Sequence, residues 1–115
     1  MNILLILKIV CAVVTIVVGI VSLVKPTSVY EFTGLQVSGP RGITEIRAVL
    51  GALFIGLGLA PFLLRMDPAA FKAGGITYLA VGLARLVSMF LDKSVVQSNW
   101  ISLAFEIVFG VILVL

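Results

Sequence analysis

Apolar residues run almost unbroken through four stretches of this chain, and the polar residues gather between them. The first stretch is NILLILKIVCAVVTIVVGIVSLV, residues 2–24. The second runs from about Pro40 to Leu64, the third from Pro68 to Leu91, and the fourth from 98 to 115. A helix needs roughly 20 apolar residues to cross a bilayer, so each stretch has the length of a span. The first holds Lys8 inside its apolar run, and no A-x-A site precedes Lys25-Pro26, so it reads as a retained helix rather than a cleaved leader. Asp67-Pro68 marks the sharpest boundary, an N-cap followed by a proline suited to the first helical turn. Pro61 is placed to kink the end of the second span. The DKSVVQSN segment is a short turn, with a further cap around Ser98, and Trp100 sits where an interfacial aromatic belongs. Residues 25–41 are longer and more polar. Ser28 and Glu31 have capping-box spacing and Gly34 could end a short helix, so this segment is either a short interfacial helix or an irregular loop. Tyr30, Phe32 and Leu35 would then lie among lipid headgroups. The predicted fold is all-α: one integral membrane domain, residues 1–115, forming an up-down-up-down four-helix bundle.

Helical periodicity gives each span one small or polar stripe. Lys8, Cys11, Thr15, Gly19 and Ser22 align in the first. Glu45 lies above Ala48, Ala52 and Gly56 in the second. Tyr78, Gly82, Arg85, Ser88 and Asp92 share a face of the third, and Asn99, Ser102, Glu106 and Gly110 a face of the fourth. Small residues at this spacing let helix backbones approach closely, so packing is the first meaning of the stripes.

The charges ask for more. With this topology Glu45, Arg47, Arg85 and Glu106 all fall in one half of the bilayer, and Arg85 and Glu106 both lie on the order of 10 Å from the same interface. A lone charge at membrane depth costs at least ~2.5–3.5 kcal/mol, and such residues pair and face inward. Arg85 with Glu106 is the expected pair. Glu45, on the small face of its helix, is expected to join it, with Tyr78, Ser88 and Ser102 lining the cluster. Arg47 projects about 200° away from Glu45 and is expected to snorkel to the headgroups or face a neighbouring subunit. Gly51 and Gly58 share that outer side and would meet either lipid or a second copy. Lys8 is expected to snorkel.

Composition narrows the chemistry. Of 115 residues, 62% are hydrophobic and 11% charged, against roughly 25% charged in soluble domains. The formal charge of +3 is not gathered into a basic face that could follow a nucleic acid. There is no histidine, which excludes a His-ligated metal, an axial haem ligand and a His base. Cys11 stands alone, so no internal disulfide or CxxC pair can form. No cofactor or metal site is expected. Loop charges near the span ends are too balanced to orient the chain by the positive-inside rule.

The segment EIRAVLGALFIGLGL, with LARLVSMFLD and LAFEIVFGVIL further on, resembles a family of small bacterial four-helix membrane proteins known only as a domain of unknown function. The resemblance covers nearly the whole chain and singles out Glu45, Arg47, Arg85 and Glu106. The family's glycine pair after Arg-Ala is here Gly51-Ala52. It implies a topology and a bacterial cytoplasmic membrane, and no activity. The architecture is also loosely similar to DoxX-like membrane proteins. Small multidrug-resistance transporters share the length and helix number, but their coupling glutamate lies in the first helix, where this chain has no acid.

Two functions follow. One is a non-enzymatic membrane protein, an accessory subunit or a module that holds lipid or another small amphiphile, alone, as a homo-oligomer or in a larger membrane complex. The other is a small transporter or proton-coupled carrier using Glu45 or Glu106. Access separates them: a water-lined cleft reaching Glu106 favours carriage, and a closed ion pair favours the first. The serines have no evident base, so an enzyme is the least expected outcome.

Overall fold

The computed structural model describes residues 2–115, and all regular structure in them is helical. Helix α1 spans Ile3–Val24 and is capped by Asn2, whose Oδ1 accepts from the Leu5 amide at 2.7 Å. A single 3₁₀ turn, Pro26–Ser28, leads into the short helix α2, Val29–Thr33. The long helix α3 covers Pro40–Leu63, α4 covers Pro68–Leu91 and α5 covers Gln97–Val114. The four long helices have 22, 24, 24 and 18 residues. At 1.5 Å per residue they extend about 27–36 Å, against a hydrocarbon core of about 30 Å. All four are long and apolar enough to cross a membrane.

Contacts run antiparallel within two pairs. Moving up α1 through Ala12, Gly19 and Leu23, the facing residues of α3 descend through Gly58, Gly51 and Arg47. Moving up α4 through Gly75, Gly82 and Arg85, those of α5 descend through Gly110, Glu106 and Asn99. The α1/α3 and α4/α5 pairs are intimate, whereas contacts between pairs are sparser. Small residues explain the intimacy. A methyl group on Gly58 would sit 2.6 Å from the Ala12 carbonyl oxygen, and one on Gly75 would sit 2.8 Å from that of Gly110. The Cα atoms fill 44 × 30 × 17 Å, a slab two helix layers thick rather than a square bundle.

The pairs meet around Cys11, Ala12, Phe71 and Leu113, which are buried together. Thr15 Oγ1 and Tyr78 Oη lie 2.6 Å apart across the seam, and Thr15 also donates to the Cys11 carbonyl at 2.7 Å. The void at this crossing measures about 10 Å³, room for about one water.

Three expectations need correction. Ser28 and Glu31 form no capping box: Ser28 Oγ turns back to donate to the Lys25 carbonyl, because Ser28 is itself helical, at the end of the 3₁₀ turn. The short helix forms nonetheless and stops at Gly34, whose φ of 75° suits glycine. At α5 no side chain caps the first turn, and the flanking residue is Val96 rather than Ser98. Asp67 does cap as expected, accepting from the Ala69 amide at 2.9 Å.

The third correction concerns the phase of α3. Residues Ile46–Ala52 wind as a π-helix, so the Leu53 amide bonds back five residues to the Ala48 carbonyl. The wider turn brings Ile46, Gly51, Gly58 and Pro61 against the protein interior. Gly51 and Gly58 therefore pack on α1 rather than facing lipid or a second copy. The stripe of Glu45, Ala48, Ala52 and Gly56 is the exposed one.

Candidate functional site: a charged network beside a lateral cleft

The far end of the α4/α5 pair carries the polar network. Arg85 lies on α4 two turns before its end, and Glu106 on α5 about three turns after its start, so the antiparallel pairing brings them level. Arg85 Nε donates to Glu106 Oε1 at 2.7 Å and Nη2 to Oε2 at 2.8 Å. This is the bidentate geometry in which a planar guanidinium matches a carboxylate. Nη1 donates to Asn99 Oδ1 at 3.0 Å, and Asn99 Nδ2 donates in turn to the Ser94 carbonyl at 2.8 Å. The network thus ties α4, the 92–96 turn and α5 together. Gly82 packs against α5 beside Glu106, where a methyl would stand 3.3 Å from Ile107 Cδ1 and 3.5 Å from Glu106 Cβ. The Glu106 side chain is nearly enclosed, 10% exposed; the Arg85 side chain keeps 30%.

Beside Arg85 lies an open cleft of about 360 Å³, lined by Val81, Ala84, Arg85, Ser88, Ser94 and Asn99. One wall is apolar, from Val81 and Ala84; the floor is polar. Ser88, which also lines the cleft, donates its hydroxyl hydrogen to Asp92 Oδ2 at 2.6 Å. The cleft meets the network at Arg85, Asn99 and Ser94, and Glu106 does not line it.

The other expected members lie elsewhere. Glu45 is exposed and pairs with Arg41 one turn earlier on its own helix, so it does not join Arg85 and Glu106. A carboxylate in the first two turns of a span can find a local partner at the membrane edge without turning inward. Arg47 neither snorkels freely nor reaches away from the bundle. Its Nη1 donates to the Leu23 carbonyl at 3.0 Å, satisfying an orphan acceptor at the C-terminal end of α1. Tyr78 lies toward the middle of α4 against Thr15, and its ring meets Phe109 edge-on at 5.5 Å. Ser102 is half-buried one turn before Glu106 and does not line the cleft. Lys8 turns inward: the residue is 8% exposed and its ammonium stands 5.8 Å from the Phe71 ring centre, a cation–π contact. Asn99 and Ser94, the residues that complete the network, were not among the expected members. Asn99 shares the Glu106 face of α5, which is the signal that could have found it; Ser94 contributes through its backbone, which leaves no sequence signal.

Four helices long and apolar enough to cross a membrane, with a polar network between the last two, define a small, all-helical protein of the membrane-spanning type. The profile of the domain of unknown function DUF4345 matches residues 3–115, and the chain belongs to that family. Among curated proteins and among solved structures, nothing matches the chain.

Proposed function

We propose that this chain is a non-enzymatic integral membrane protein of a bacterial cytoplasmic membrane that holds a small amphiphile in the cleft beside Arg85. The observation that carries the reading is the cleft's two-sided chemistry. Val81 and Ala84 offer an apolar wall on the outward surface of α4, and Arg85, Ser88, Ser94 and Asn99 offer a polar floor. Its volume of about 360 Å³ falls within the range of roughly 300–1,000 Å³ used by small-molecule sites. Arg85–Glu106 is then both lock and floor: it fixes α4 against α5 and shows one edge to the ligand. The carrier reading has less support. Each candidate carboxylate already has an arginine partner, and the cleft stops short of Glu106.

The test is native mass spectrometry of protein extracted in mild detergent, comparing wild type with Ala84→Trp. Ala84 is exposed and outside the network, so the indole fills the cleft without touching the fold. Wild type is expected to retain a co-purifying amphiphile and the variant to lose it at an unchanged melting temperature. Equal retention in both would remove the reading.

A further inference from the structure

Building on the amphiphile reading, we infer that the cleft takes the phosphodiester of a glycerophospholipid, because its floor is rich in unspent hydrogen-bond donors and poor in free acceptors. Arginine has five N–H donors. Among the described residues Arg85 spends three, two on Glu106 and one on Asn99. Two remain, on a side chain that lines the cleft and is 30% exposed. Asn99 Nδ2 spends one of its two hydrogens on the Ser94 carbonyl, leaving a third N–H. The Ser94 side chain adds a hydroxyl.

The carboxylate and carbonyl acceptors on the same floor are engaged, which leaves the Ser88 and Ser94 hydroxyl oxygens as the acceptors there without a partner among the described residues. Both Glu106 oxygens and Asn99 Oδ1 accept from Arg85, and the Ser94 carbonyl accepts from Asn99. A ligand group that fits must therefore bring several acceptors and need few. The two non-bridging oxygens of a phosphodiester do this, and an arginine edge recognises them in bidentate fashion. The formal charges around the cleft balance, Arg85 and Lys93 against Glu106 and Asp92. Glu106 neutralises the guanidinium but is turned away behind it. Asp92 stands near the mouth with one oxygen engaged by Ser88, and Lys93 follows it in the turn.

Depth selects the lipid-borne phosphodiester over a soluble one. Arg85 is six residues from the end of α4, on the order of 10 Å along the axis, and Asn99 is in the first turn of α5. The cleft thus runs from the helix ends, at Asn99 and Ser94, inward along α4 past Arg85 to Val81 and Ala84, the order of a phosphodiester and then an acyl chain.

The test offers the purified protein, in one detergent, four probes: phosphatidylglycerol, diacylglycerol with the same chains, oleate, and glycerol 3-phosphate. Retention is read by native mass spectrometry. Phosphatidylglycerol is expected to bind at least tenfold more tightly than the other three. Binding should fall at least tenfold in Arg85→Met/Glu106→Gln, which removes the arginine donors and both charges together, and in Ala84→Trp, each checked for a retained cooperative helical melt. Equal binding of diacylglycerol or oleate would overturn the headgroup assignment and leave the amphiphile reading standing. Equal binding of glycerol 3-phosphate would overturn the lipid source. Phosphatidylglycerol binding indifferent to both variants would overturn both readings.

Discussion

Arg85 and Glu106 hold each other in place at a cost that neither could meet alone. Removing one partner of a buried pair leaves an uncompensated charge, worth roughly 3–5 kcal/mol, whereas replacing both by uncharged groups of similar size is often nearly neutral. Arg85→Met and Glu106→Gln are each expected to lower the melting temperature sharply, and the double variant to recover most of the loss. Strictly additive losses in thermal melts would show that the two act independently. Thr15 and Tyr78 make a neutral version of the same experiment. Thr15→Val with Tyr78→Phe should cost less than the two single changes summed, with coupling of about 1 kcal/mol. The Arg85–Glu106 contact was legible in the sequence because both residues lie on small, polar faces and at matching depth. The partners of Glu45 and Arg47 were less so. Arg41 stands at i−4 from Glu45, a spacing that can be read directly, but the demand that a membrane charge face inward outweighed it. Arg47 bonds to a backbone carbonyl, and a backbone acceptor leaves no mark on the pattern of side chains.

At the scale of the helix, α1, α4 and α5 each carry a single small or polar stripe; α1 buries all of its stripe, whereas α4 and α5 bury theirs in part, with Asp92 exposed at the end of α4. Helix α3 carries two, Ala48–Ala52–Gly56 and Gly51–Gly58, so composition could not choose between them. The π-helical turns over Ile46–Ala52 shift the phase as well, and an ideal 3.6-residue period cannot anticipate that. The two stripes should respond oppositely to the same kind of change. Gly58→Ala places a methyl 2.5 Å from Ile16 Cγ1 and 2.6 Å from the Ala12 carbonyl, so α1 and α3 must part. It is expected to destabilise by about 1–3 kcal/mol, as overpacking does. Gly56→Ala meets nothing within 4 Å and replaces a poor helix former, so it should be neutral or stabilising by up to about 1 kcal/mol. Chemical denaturation in detergent would compare them; the reverse order would mean that the phase of α3 is wrong.

For the whole molecule, the antiparallel order puts the 25–39 and 92–96 connections at one end and the 64–67 connection at the other. Cysteines introduced at Thr27 and Lys93 should react with a membrane-impermeant maleimide from one side of the membrane, and a cysteine at Arg65 from the opposite side. The native Cys11 is 2% exposed and should stay silent, so no cysteine-free background is required. Labelling of Thr27 and Lys93 from opposite sides would rule out this topology.

The pairing of α1 with α3 and of α4 with α5 has a consequence for how the protein is made. Each pair is a helical hairpin whose closest backbone contacts lie within itself, and the hairpins are joined by only the four residues 64–67. Nascent chain leaving the ribosome completes the first hairpin before the second is synthesised, so each can enter the bilayer as a finished unit. The covalent link between them is then dispensable. Fragments 1–65 and 66–115, produced together in one cell, should find each other in the membrane and co-purify through the seam at Thr15 and Tyr78. A cut inside the 92–96 turn would instead separate α4 from α5, and should yield two fragments that the cell degrades.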